Sequence, residues 1–167
     1  IIKVLNHFST NFIAEQVLFA LGKVSDGRQD RGLGLEQLRK TLKKSSTSSA
    51  GVLLDDASGL SHENRISATL LTWLLSYAYA QMEYNAEFMA SLSAAGESGT
   101  LKHRDFVLNG AQMRGKTGSI NGVSALAGYV FNTNGRKFAF AILQNGDSSR
   151  DSAFQFQAKV TKLISTL

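Results

Sequence analysis

The chain has 167 residues, with 18 Lys and Arg against 13 Asp and Glu, and contains neither Cys nor Pro. The length suits one domain or part of one, and 43% apolar with 19% charged residues excludes a disordered polymer. Without Cys there is no disulfide, thiolate metal site or thiol nucleophile, while the net charge of +5 favours anionic partners without choosing among nucleic acid, lipid and wall polymer.

The opening string from Ile1 to His7 lacks the basic leader and long apolar region of a signal peptide. Without Met at its start, it reads as the interior of a longer protein. Residues 12–21 carry apolar side chains at helical period, with Gly22 as C-cap and Ser9, Thr10 or Asn11 as N-cap. The polar, glycine-containing stretch 25–34 reads as a loop. A second helix follows over 35–44, with Leu35, Leu38 and Leu42 inward and Arg39, Lys40, Lys43 and Lys44 towards water. Residues 45–49 form a Ser/Thr-rich loop. Val52-Leu53-Leu54 reads as a short buried strand ending at Asp55-Asp56.

The longest uncharged stretch, Ile66 to Met82, is short for a membrane span of about 20 apolar residues. The pattern predicts a buried helix over 66–81, the longest of the chain, and another over 85–92. Residues 94–102 read as a loop with two glycines. Strands are expected over 113–120, 123–131 and 137–143, with Asn134-Gly135 as a hairpin-turn signal. Residues 149–167 return to helical spacing. The order is helices, then a three-strand antiparallel run, then a closing helix, which is an α/β arrangement.

His7, His62 and His103 are isolated and give no metal-ligand spacing. Three other strings stand out. Ser9-Thr10-Asn11 reads by itself as a helix N-cap. Asp56-Ala57-Ser58-Gly59-Leu60-Ser61 reads as a turn, with Asp and Ser bonding the local backbone and Gly59 supplying positive φ. Lys116-Thr117-Gly118 reads as the start of a strand.

Their order, with Gly99-Thr100-Leu101 and Arg104 placed before the last, is similar to that of the penicillin-binding proteins. Within these, the chain resembles the D-alanyl-D-alanine carboxypeptidase/endopeptidase family, the class C low-molecular-mass type, over nearly its whole length. The resemblance implies a penicillin-binding/serine β-lactamase-like fold. That fold is an antiparallel sheet with the C-terminal helix packed on it, plus an all-helical region. Residues 1–167 would be the C-terminal part of a single domain.

It also implies a serine acyl-transfer site built from Ser-x-x-Lys, Ser-x-Asn and Lys-Thr-Gly. The first motif is absent, since no Ser has Lys three positions later. Thr41 and Lys44 have that spacing but sit on the basic helix face, a structural position. The nucleophile is therefore expected upstream, in the N-terminal part of the same protein. By the resemblance, Ser9 relays a proton to the leaving amine, and Asn11 holds the substrate amide and the upstream lysine. Lys116 supplies positive charge for the substrate's terminal carboxylate, beside the hydroxyls of Thr117 and Ser119. Gly118 lets substrate lie against the strand edge, and the Ser119 N–H is an oxyanion donor. Asp56 and Ser58 shape the turn.

The implied partners are peptidoglycan stem peptides and β-lactam antibiotics, not nucleic acid. No cofactor or metal is implied, and the implied location is periplasmic or otherwise extracytoplasmic in a bacterium. A non-catalytic peptidoglycan-binding relative, or an inactive fragment, is the alternative. His62 stands where family members often carry Arg and is read as a surface residue. Arg104 and Arg114 either contact the acidic stem peptide or are solvated charges.

Overall fold

The structure is a computed structural model and describes residues 1–24, 27–45, 51–146 and 149–167. Its sheet is formed by β1 (Ser93–Ala94), β2 (Gln112–Ile120), β3 (Val123–Phe131) and β4 (Lys137–Asn145), antiparallel throughout and in sequential order. β2 and β3 pair without a bulge from Gln112 opposite Phe131 to Ile120 opposite Val123. Gly122 makes their tight turn at φ 68°. Between β3 and β4, the Asn132 side chain accepts from the Asn134 and Arg136 amides. Gly135 takes positive φ in that turn, as the Asn-Gly pair predicts.

Alternation along β3 gives the sheet two buried faces. Leu126 and Val130 join Met113, Phe140 and Ile142 in the main core, against which Val160 and Ile164 of α6 (Arg150–Ser165) pack. The fully buried Gln157 fastens α6 there: its amide donates to Ser124 Oγ at 3.0 Å and to Gln144 Oε1 at 2.9 Å. Tyr129 faces the other way and meets α4 (Ala68–Ala80), where its hydroxyl donates to the Leu75 carbonyl at 2.6 Å. Burial, with the negative field of Tyr79, pushes the Tyr129 hydroxyl pKa far upward.

The helical region contains α1 (Ile2–Phe8), α2 (Asn11–Leu21), α3 (Arg31–Leu42) and α5 (Asn85–Ser91). Ala14 and Leu18 of α2 are buried, as are Leu35 and Leu42 of α3.

Several sequence expectations are corrected. The N-terminal string is helical from Ile2, which its residues did not announce. α3 starts at Arg31, inside the expected loop, because the Asp30 carboxylate caps the Leu33 amide at 2.8 Å. Most of the expected 45–49 loop lies outside the described residues, as does part of 25–34. Val52–Leu54 is not a buried strand: Leu53 makes one bridge to Arg65 and is 54% exposed. The 94–102 region contains the end of β1 and a 3-10 turn over Gly99–Leu101, so the sheet gains a fourth strand. α6, with 16 residues, is longer than α4 with 13.

Candidate active site

Ser9 occupies the joint between α1 and α2 with φ 53° and ψ 50°, a left-handed conformation uncommon outside glycine. α2 is capped at Thr10 with no side-chain bond, so the N-cap reading of Ser9 fails. The joint is held from behind. Asn6 Nδ2 donates to Ser91 Oγ, and His7 Nδ1 donates to the Ser91 carbonyl, each at 2.8 Å. Gly99, at φ 56°, packs so closely that a Cβ there would lie 2.7 Å from the His7 carbonyl oxygen.

Across from this joint runs β2. Lys116 Nζ donates to Ser9 Oγ at 2.7 Å, joining residues 107 apart in sequence, and to the Thr117 carbonyl at 2.6 Å. No carboxylate pairs with it among the described residues. Burial lowers its pKa from 10.5 to about 8, because the desolvated ammonium lacks a compensating anion. Thr117 lies on the opposite face of the strand, its hydroxyl donating to Thr100 Oγ1 at 2.8 Å.

β1 covers only the first part of β2, at Gly115 and Arg114. No strand pairs with the outer edge from Lys116 to Ile120 among the described residues. The Ala95 amide donates to the Met113 carbonyl at 3.0 Å across that edge. By antiparallel alternation, the main-chain groups of Thr117 and Ser119 point the same way.

The expected site residues Ser9, Asn11, Lys116, Thr117, Gly118 and Ser119 all border one cleft of about 830 Å³. Ala57–Leu60 forms another wall. This loop is built on Asp56, whose carboxylate accepts from the Gly59, Leu60 and Ser61 amides, the Ser58 hydroxyl and Asn64 Nδ2. Burial pulls the Asp56 pKa up, but the hydrogen bonds from Asn64, Ser58, Ser61 and Gly59 outweigh it and leave it lowered. Glu15 of α2 accepts from the Ala57 and Ser58 amides at 2.8 and 2.9 Å, tying the loop to the helix that follows Ser9.

The other end of the cleft is cationic. Arg104 and Arg150 border it with Phe154 and His103. Arg104 is not a solvated charge: its Nη2 donates to Gln157 Oε1 at 2.6 Å, and its guanidinium lies 3.6 Å from the Phe154 ring centre. Arg150 escapes sequence reading because only tertiary packing brings the start of α6 here. Arg114 donates to the Leu92 carbonyl at 3.4 Å and does not border the cleft; neither does the exposed His62. Among the described residues, no three His, Asp or Glu side chains come together as metal ligands.

Comparison with known proteins places this arrangement. The model of the D-Ala-D-Ala carboxypeptidase 3 (S13) family matches residues 1–167. A D-alanyl-D-alanine carboxypeptidase of Actinomadura sp. (strain R39) is 36% identical over 150 residues, covering 84% of this chain and 27% of that protein. Carboxypeptidase DacB of Mycolicibacterium smegmatis is 34% identical over 139 residues, covering 80% and 29%. Among solved structures, penicillin binding protein 4 (dacB) of Haemophilus influenzae superposes with a TM-score of 0.84 at 26% identity, covering 98% of this chain and 39% of that one. A class A beta-lactamase of Bacteroides cellulosilyticus shares the fold, with a TM-score of 0.67 at 19% identity. The chain thus spans 27% of the Actinomadura protein and 39% of the Haemophilus one, well under two thirds of either. With the family model matched from the first residue to the last, and the α/β fold shared with penicillin binding protein 4, this chain belongs to the D-Ala-D-Ala carboxypeptidase 3 (S13) family.

Proposed function

We propose that this chain is the C-terminal part of a serine-type DD-peptidase that cleaves D-Ala bonds of peptidoglycan stem peptides outside the cytoplasm, as a carboxypeptidase, an endopeptidase or both. β-Lactams acylate the same serine. The observation that carries this reading is the Lys116 Nζ to Ser9 Oγ hydrogen bond of 2.7 Å beside an open strand edge. The Actinomadura relative is named a D-alanyl-D-alanine carboxypeptidase, and the Haemophilus protein has also been solved with a β-lactam bound.

In this mechanism a serine of the upstream segment attacks the scissile carbonyl. The upstream lysine takes that serine's proton as the Oγ–C bond forms, the proton is passed through Ser9 to the nitrogen as the C–N bond breaks, and water later hydrolyses the ester. Substrate runs along the outer edge of β2, where Gly118 leaves room and the Ser119 N–H stabilises the oxyanion. Asn11, at the start of α2, holds the substrate amide. The ammonium of Lys116 donates to Ser9 Oγ, which leaves the Ser9 proton free to pass to the departing nitrogen. Lys116 also draws the terminal carboxylate, with the hydroxyls of Thr117 and Ser119 beside it.

Intact-mass measurement before and after penicillin treatment tests this reading. The protein that carries this chain together with its upstream part gains one penicillin mass, on the upstream part. The 167 residues alone gain none. An adduct on this chain would place the nucleophile within it. No adduct on the longer protein would make it a non-catalytic peptidoglycan-binding relative.

A further inference from the structure

The cleft holds more positive charge than one terminal carboxylate requires. Lys116 reaches it on one face of β2. Arg104 and Arg150 reach it from the α6 side, beyond the Thr100–Thr117 hydroxyl pair. The two guanidiniums share one aromatic support, lying 3.6 and 5.2 Å from the Phe154 ring centre. Neither forms an ion pair among the described residues. Asp105 and Asp151 line a neighbouring pocket together with Arg104, without an ion pair to it. Among the described residues, no Asp or Glu borders the main cleft.

Two like charges brought together without a counter-ion among the described residues carry an electrostatic cost, which a bound anion removes. Arg104 is held in place, because Gln157 accepts from its Nη2 and Phe154 lies against its guanidinium, while its Nε is buried without a partner. Arg150, exposed at the first turn of α6, is free to reach inward. The chemistry that fits is a carboxylate held by two guanidiniums.

We infer that Arg104 and Arg150, stacked on Phe154, form a subsite for a second carboxylate on the leaving group, so that the enzyme favours substrates whose departing residue is itself acidic. This rests on the DD-peptidase reading above, in which Lys116, Thr117 and Ser119 take the terminal carboxylate. The leaving group then extends past Thr117 towards α6, and its second carboxylate meets the two arginines.

The test uses the full-length protein and two N-acylated peptides ending in D-Ala-D-Glu and D-Ala-D-Gln. These departing residues are nearly isosteric and differ in charge. The expected ratio of kcat/KM, D-Glu over D-Gln, is about tenfold for one desolvated charge-assisted contact. Arg150→Gln and Arg104→Gln each bring the ratio severalfold towards one, whereas Arg150→Lys retains most of it. The ratio is internal to each preparation, so partial misfolding of Arg104→Gln does not mimic the effect. A ratio near one in the parent protein, or a ratio unchanged in both Gln variants, overturns the subsite. Failure of the parent protein to cleave either peptide or take up penicillin overturns the DD-peptidase reading, and the subsite with it.

Discussion

Ser9 is held in a left-handed turn, and that posture frees its hydroxyl from helix capping and turns it towards Lys116. The strained serine and the desolvated lysine therefore depend on each other. The lysine also leaves a thermodynamic signature. In the folded chain Lys116 loses its proton near pH 8, because burial disfavours the ammonium, whereas unfolded it keeps it to about 10.5. Between these values the unfolded chain binds more protons, so stability rises with pH. Tyr129 opposes this only above about pH 10, where burial and Tyr79 let the folded state retain a proton that the unfolded state releases. Urea unfolding of this chain should thus show stability climbing from pH 8 to 10 relative to Lys116→Met. Parallel curves for the two proteins would mean that Lys116 is well solvated. The residue types at this site were legible in the sequence through the motif resemblance. The left-handed Ser9 was not, since Ser-Thr-Asn before a helical pattern looks like an ordinary cap.

The elements divide by how far local signals decide them. β2, β3 and β4 were legible from alternation and from the Asn134-Gly135 turn, and they occur within two residues of the expected bounds. α1 and β1 were not. A seven-residue helix without a side-chain cap has little local drive, and a two-residue strand exists only through its pairing with β2. α3 carries glycines at 32 and 34, both poor helix formers, and the value of Gly34 is steric. A Cβ at Gly34 would overlap the Leu18 carbonyl, and one at Gly22 would overlap the Asp30 carbonyl and sit 2.7 Å from the Gly34 amide nitrogen. Gly22 has φ −91°, so close approach of α2 and α3 requires it, not backbone handedness. Gly135 is the reverse case, with φ 77° and nothing within 4 Å of a Cβ. Gly22→Ala should cost about 3 kcal/mol through overpacking, and Gly135→Ala about 1–2 kcal/mol through left-handed strain. Denaturant midpoints of the two variants check this. A Gly22→Ala loss near zero would show that the α2–α3 contact yields without cost.

At the scale of the whole molecule, the helix-then-sheet order already implied the α/β class, but the closure of the cleft was hidden, because it joins five separate segments of the chain. Those parts differ in how firmly they are held. β3 is paired along its full length on both sides, and Leu126 and Val130 are fully buried between β2, β4 and α6. The α1–α2 segment that carries Ser9 has much less cover: no residue of α1 is buried, and Phe8 and Phe12 are 70% and 72% exposed. Lys116 therefore stands on the rigid side of the cleft and Ser9 on the less stable side; the Lys116–Ser9 contact joins them, and two bonds to Ser91 tie α1 to the end of α5. Local opening should follow that division. In native-state hydrogen exchange of the isolated chain, amides of β3 should open only with global unfolding, while those of α1 and the start of α2 open at much lower free energy. Full-length protein should protect α1 and α2 far more if an upstream segment covers Phe8 and Phe12 and completes the site. Equal protection of α1 and β3 in the isolated chain would mean that the bonds to Ser91 and Lys116 already fix the Ser9 joint, and that completing the site needs no ordering of this segment.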